Sequence, residues 1–232
     1  MDDLWQMDPL FLCPFYVEAF EKSDRQRRLC GCFLVRQILW DLIPEQLRTV
    51  VEASEQFADG LLERKQFFAL TRASRKPYRS LQARFFRREE PLSPNDYAVG
   101  HAYFAVNTLA DPKFSPTTLR VTGSQIWQTV RSFLEGGSKT KEEKSEITTK
   151  VKEQFTTLPE EILGTGGNGK ITPRSWSRNV LGLALAMYEG ERCHFALHDA
   201  LEEESQAELA KHFLKDFHPK GCWALDLILG KN

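Results

Sequence analysis

The sequence contains no run of 18 apolar residues, no Gly-x-Ser-x-Gly, no His-Glu-x-x-His and no Cys-x2-Cys. The first absence argues against a transmembrane helix. The second and third remove the nucleophile elbow of an α/β-hydrolase and the zinc helix of a metalloprotease. The fourth removes the commonest half-site of a structural zinc module. Glycine and proline together supply 25 of 232 residues, too few for a collagenous or low-complexity chain. Disorder is excluded by a 41% hydrophobic content with a net charge of only −1. The opening Met1-Asp2-Asp3-Leu4-Trp5 lacks a basic start followed by an apolar stretch, so no secretory signal is expected. Five cysteines (Cys13, Cys30, Cys32, Cys193, Cys222) make an odd number in a chain large enough to need no disulfide, and the expectation is a reduced, cytoplasmic protein.

What the chain does have is a helical period almost throughout. Ser23 and Asp24 are placed to cap a helix carrying Leu29, Cys32, Phe33, Val35, Ile38, Leu39 and Leu42, an apolar face wide enough to require burial on most sides. Pro44 suits the first turn of a second helix, where Leu47, Val50, Val51, Ser54, Phe57 and Ala58 repeat at three-four spacing until Gly60. Residues 61–88 read as helical with an interruption at Pro77. Asn95 is placed to cap the next segment, which stops before Asp111-Pro112. A loop is expected at 111–123, with Leu119-Arg120-Val121 as a short strand, followed by a helix over Ser124–Leu134.

Gly136-Gly137-Ser138 then leads into the most polar stretch, through Lys152. Pro173 is expected to open a nearly all-apolar helix that Gly190 ends, and three short helices follow at about 195–204, 205–216 and 219–229. The expected fold is all-α: a compact multi-helix bundle in one domain over 1–232, with one short irregular or β segment near 111–123. A flexible connection at 136–145 would separate subdomains 1–135 and 146–232.

The small net charge conceals a strong asymmetry. Residues 1–63 carry a net −6, whereas 64–88 carry nine basic side chains and no acidic one. On an ideal helix Lys65, Arg72, Arg75, Lys76 and Arg79 fall within a wedge of about 100°, and Arg84, Arg87 and Arg88 follow beyond Pro77. Phe67, Phe68, Tyr78, Phe85 and Phe86 interleave with them. Arginines that neutralise phosphates beside aromatics that stack on bases are what nonspecific nucleic-acid binding uses. An acidic protein partner would use the same charges, and internal neutralisation by the −6 segment is the competing structural role.

Other motifs are weaker. Gly164–Lys170 has the P-loop spacing G-x4-G-K, but Ile171 follows where Ser or Thr would hold magnesium, and a helical stretch precedes where a strand is needed. Cys30 and Cys32 lie about 200° apart on a helix, which suits packing rather than chelation. His194 and His198, at i and i+4 beside Cys193, have chelating spacing on a helix, and His218-x3-Cys222 forms another pair. A four-ligand site would need distant segments to converge. His218 with Cys222, one helical turn away if both are helical, is also the best thiol–base pair for a Cys-dependent hydrolase. Trp223 and the apolar run after it favour a buried structural role instead.

Two stretches carry a resemblance. The first is Ser23–Cys32 with Ile38-Leu39-Trp40 and Val50–Gly60. The second is Leu185–Glu189 with Leu197–Glu203 and then His218–Lys231. Both resemble the opening and the close of a bacterial helical-protein family of uncharacterised activity that is expanded in planctomycetes. The resemblance covers somewhat under half the chain, and its middle departs from the family through the basic 64–88 block and the polar 136–155 stretch. It implies a small helical bacterial protein and brings no catalytic role with it.

The functional expectation is a non-enzymatic interaction or adaptor protein without cofactor or metal. It contacts an acidic partner through Lys65, Arg72, Arg75, Lys76, Arg79, Arg84, Arg87 and Arg88. A nucleic-acid-binding accessory subunit is the second reading, the Cys222–His218 hydrolase a distant third, and no membrane is involved.

Overall fold

The computed structural model describes residues 22–72, 76, 92–164 and 175–231. The protein is all-α, with no strand among the described residues. Its helices are α1 (Asp24–Leu39), α2 (Glu45–Ala58), α3 (64–72), α4 (Pro94–Leu109), α5 (Pro116–Gly136), α6 (Lys141–Leu163), α7 (Arg178–Tyr188), α8 (His194–Glu203), α9 (Ala207–Ala210) and α10 (Trp223–Leu229). Single 3₁₀ turns at Trp40–Leu42 and Lys211–Leu214 follow α1 and α9. The residues divide into two compact units, one up to Pro159 and one from Glu160. Pro159 lies inside α6, where its missing N–H deprives the helix of one i→i−4 hydrogen bond.

Helix starts follow side-chain chemistry. Ser23 accepts from the Gln26 amide while the Gln26 side chain returns to the Ser23 amide, a complete capping box. Ser93 and Asp96 form a second box, so α4 begins at Pro94 and Ser93, not Asn95, is its cap. Ser115 accepts from Thr118 and Pro116 opens α5, which places Leu119-Arg120-Val121 inside a helix rather than a strand. Pro116, Thr117 and Thr118 form the first turn behind the Ser115 cap. Ser177, not Pro173, caps α7, accepting from the Val180 amide. Gly60 and Gly230 end α2 and α10 with positive φ of 71° and 65°.

In the first unit α1 packs against α2, α4 and α5, and α4 runs along α5. Cys30 and Cys32 are both fully buried, on different sides of α1. Between them, a Cβ on Gly31 would stand 2.9 Å from Leu109 Cδ2 and 3.0 Å from Phe114 Cζ, so α1 approaches the α4–α5 connection as closely as a side-chain-free residue permits. The polar helix α6 still contributes a stripe to this unit: Thr148, Val151 and Phe155 are buried at three-four spacing.

Two adjacent arginines complete the α4–α5 connection. Arg28, 2% exposed, donates to the carbonyls of Leu109 and Asp111, the latter at 2.6 Å. Arg27 Nε donates to the Phe114 carbonyl at 2.8 Å. The Arg28 guanidinium lies 5.1, 5.6 and 5.3 Å from the ring centroids of Phe57, Phe67 and Phe114. Leu109 ends α4, and its carbonyl also accepts from Ser54 Oγ at 3.2 Å, so side chains of α1 and α2 occupy an acceptor that α4 itself leaves open.

The second unit has its own core: Val180, Ala184, Met187, Tyr188, Leu197, Leu201, Leu209, Phe213, Cys222, Leu225 and Ile228. Helix α7 is less central than its composition suggests, since Leu181 and Leu185 are 38% and 47% exposed.

Replacing Arg28 by Ala takes the guanidinium donor from two backbone carbonyls, leaving Leu109 only Ser54, and removes three cation–ring contacts. The expected loss is about 3 kcal/mol of stability, with little recovery in Arg28→Lys because an ammonium lacks the planar fork. Gly31→Ala should cost about 1–3 kcal/mol through overpacking against Leu109 and Phe114. Denaturant unfolding of the two variants measures both; an unchanged midpoint for either would show that its contact is dispensable.

Candidate functional site

Only part of the basic segment lies among the described residues. Lys65, Arg72 and Lys76 are described and exposed; Arg75, Arg79, Arg84, Arg87 and Arg88 lie outside, as do Tyr78, Phe85 and Phe86. On α3 the exposed Lys65 and Arg72 lie away from the side that buries Phe67 and Thr71, as the helical wedge predicts. Phe67 is fully buried, stacked on Phe57 with ring centroids 4.4 Å apart and lying under the Arg28 guanidinium. It is a core residue, and no base can stack on it. Phe68 is half-buried beneath Arg64, 5.6 Å from its ring centroid.

Four acidic side chains of α1, α2 and the α2 cap pair with arginines of the same two helices. Asp59 accepts from Arg25 Nη2 at 2.9 Å, and Glu55 takes both prongs of Arg36 at 2.6 and 2.9 Å. Asp24 pairs with Arg27, and Glu45 lies 3.9 Å from Arg48. Among the described residues, none of these acids pairs with Lys65, Arg72 or Lys76. The partially buried, bidentate Arg36–Glu55 geometry is stronger than an exposed lysine could offer the same carboxylate.

The second unit brings together a set of side chains that the sequence separates. Glu161 comes from the last turn of α6, His212 from the 3₁₀ turn after α9, His218 from the irregular segment that follows, and Cys222 from the cap of α10. One ligand atom from each lies within 4.8 Å of all the others. His212 Nε2 is 3.1 Å from Cys222 Sγ and 3.5 Å from Glu161 Oε2; His218 Nδ1 is 3.8 Å from the same sulfur.

A tight turn creates the last contact. The Cys222 amide donates to the Pro219 carbonyl at 3.0 Å, and Gly221 has φ +83°, the left-handed value that the third position of a type II turn requires. His218 therefore reaches Cys222 across a reversal, not along a helix as the i, i+4 spacing suggested.

Burial dominates the electrostatics here. It pushes His212 down to about 3 and His218 down to about 4, so both imidazoles are neutral near pH 7. It raises the Cys222 thiol to about 12, so the sulfur is protonated. A fully buried thiol without an imidazolium beside it is a poor nucleophile. The His194–His198 pair is not assembled: His194 Nε2 faces Asp216 at 3.4 Å, His198 Nδ1 bonds Asp199 at 3.0 Å, and Cys193 Sγ donates to the Leu183 carbonyl. Of the G-x4-G-K stretch, only Gly164 is described; it ends α6 at φ +73°.

Spacing had pointed to His218 and Cys222. Nothing local pointed to Glu161, about 50 residues upstream, and His212 stood in sequence only as one of five histidines. No protein-family model, curated protein or solved structure matches this chain. Among the described helices, none is long and apolar enough to cross a membrane.

Iodoacetamide at mildly alkaline pH should leave Cys222 unmodified in the folded chain and modify it fully in urea. Peptide mass spectrometry reads this directly, and rapid labelling of the folded chain at Cys222 would contradict the burial described above.

Proposed function

We propose that this chain is a non-enzymatic interaction protein whose basic segment, around residues 64–88, contacts an acidic protein partner. One observation carries the reading: Asp24, Glu45, Glu55 and Asp59 pair with arginines of α1 and α2, while Lys65, Arg72 and Lys76 stand exposed with no ion pair to a described residue. Like charges clustered on one helix side repel one another, and acidic groups on another molecule relieve that repulsion. A protein is favoured over nucleic acid because Phe67, one of the aromatics interleaved with the charges, is spent in the core. Base stacking, which gives single-strand binders much of their affinity, loses that platform.

The triple charge reversal Lys65→Glu, Arg72→Glu, Lys76→Glu should abolish capture of an acidic partner and leave the helical content unchanged, as read by affinity purification and circular dichroism. Capture that survives the reversal removes this surface from the function. An oligonucleotide titration over a range of salt concentrations serves as the contrast. Tight binding with a steep salt slope, lost in the same variant, would replace the protein partner by nucleic acid.

A further inference from the structure

The Glu161–His212–His218–Cys222 cluster is rich in lone pairs and short of protons. His218 donates its Nε2 hydrogen to the Lys215 carbonyl at 3.0 Å, which leaves Nδ1 as a lone pair facing the other three side chains. Fixing one ring nitrogen on a backbone carbonyl, so that the other points at a common centre, is how metal-binding histidines are oriented. Glu161 gives Oε1 to Lys215 and turns Oε2 into the cluster, where it is buried without a hydrogen-bond partner. The one thiol hydrogen of Cys222 faces two ring nitrogens, at 3.1 and 3.8 Å, and a single hydrogen bond cannot satisfy both. A buried carboxylate oxygen left without a donor calls for a cation.

The spacing suits a small ion. Bonds of about 2.0–2.3 Å from a tetrahedral zinc place neighbouring ligand atoms about 3.3–3.8 Å apart. The recorded separations of 3.1, 3.5 and 3.8 Å fall around that range, and no pair exceeds 4.8 Å. A thiolate with two imidazoles selects zinc over magnesium or calcium, which prefer all-oxygen shells. The ligand shell is neutral: Zn²⁺ against the Glu161 carboxylate and a Cys222 thiolate, with two neutral rings, while the Lys215 ammonium on Oε1 stands at the solvent-exposed rim.

We propose that the C-terminal unit binds one Zn²⁺ through Glu161 Oε2, His212 Nε2, His218 Nδ1 and Cys222 Sγ. On binding, the thiol proton leaves to water and the sulfur takes the metal. Four protein ligands fill a tetrahedral shell, so the ion is structural and activates no water. It ties the end of α6, the 3₁₀ turn, the His218 segment and the start of α10 to one point. The unit from Glu160 to Asn232 has 73 residues, a size at which a hydrophobic core alone supplies little stability and metals commonly reinforce it. Packing around the site supports the geometry: the His212 ring stands edge-on to Phe213 and Trp223, with centroids 5.3 and 5.0 Å away.

The test uses the full-length chain, freed of metal by a chelator and titrated with Co²⁺, a spectroscopic stand-in for zinc. One equivalent should bind with a thiolate-to-cobalt charge-transfer band, and Zn²⁺ should displace it. Cys222→Ser should remove the band and weaken binding more than about a hundredfold, beyond the usual cost of losing an outer-shell partner. Cys193→Ser, in the same unit but outside the cluster, should keep the band. The nearly isosteric Glu161→Gln should keep the fold and lower the affinity at least about tenfold. Should Cys222→Ser fail to fold, the wild-type titration and the Glu161→Gln comparison still decide. A folded wild-type chain that takes up neither Co²⁺ nor Zn²⁺ overturns the proposal, and so does a band that follows Cys193 instead of Cys222.

Discussion

The N-terminal unit depends on a buried guanidinium. Arg28 sits where α1, α2, α3 and the α4–α5 connection meet, and its planar fork does two things at once. Its edge donates to the carbonyls that α4 leaves open at its end, and its faces lie among Phe57, Phe67 and Phe114. A hydrocarbon of similar size would fill the space and offer the carbonyls no donor. A lysine would reach one carbonyl and lose the stacking. With Arg27 on Phe114, consecutive arginines hold three carbonyls of one connection, which explains how a segment rich in Asp, Pro and Ser packs tightly enough to require Gly31 opposite it.

The same helices show how the described charges of the opening segment pair. Of the arginines in the acidic opening, Arg27 and Arg28 turn inward to backbone carbonyls, while Arg25 and Arg36 bind Asp59 and Glu55. Local pairing wins because these carboxylates are partly buried, where a forked cation gains more than it does at the surface. Lys65, Arg72 and Lys76 are left exposed beyond the pairs, and the proposed interaction surface follows from that partition.

The two units solve the problem of buried polarity differently. In the first, buried cations meet carbonyls, carboxylates and aromatic faces. In the second, neutral imidazoles, a protonated thiol and a carboxylate converge, with Lys215 pairing the carboxylate at the rim. The apolar core around Val180, Leu197, Leu201, Phe213 and Leu225 lies beside that cluster and positions three of its four members through the short segments between α9 and α10.

Helical class, the wide buried face of α1, the Ser23 cap, the glycine stops at Gly60, Gly190 and Gly230, and the packing role of Cys30 and Cys32 were legible in the residue order. These features are local: a capping hydroxyl reaches an amide three residues on, and apolar periodicity needs only its own helix. Local reading misplaced the caps of α4 and α7 and the Leu119–Val121 strand by taking one plausible Asn, Pro or Thr cluster over its serine neighbour. That Arg28 is a core residue, that Phe67 belongs to the interior and that Glu161 stands opposite His212 came from helix packing. Such contacts join residues tens of positions apart, and their geometry is set by how whole helices pack. No spacing in the chain encodes where the end of α6 will meet the start of α10.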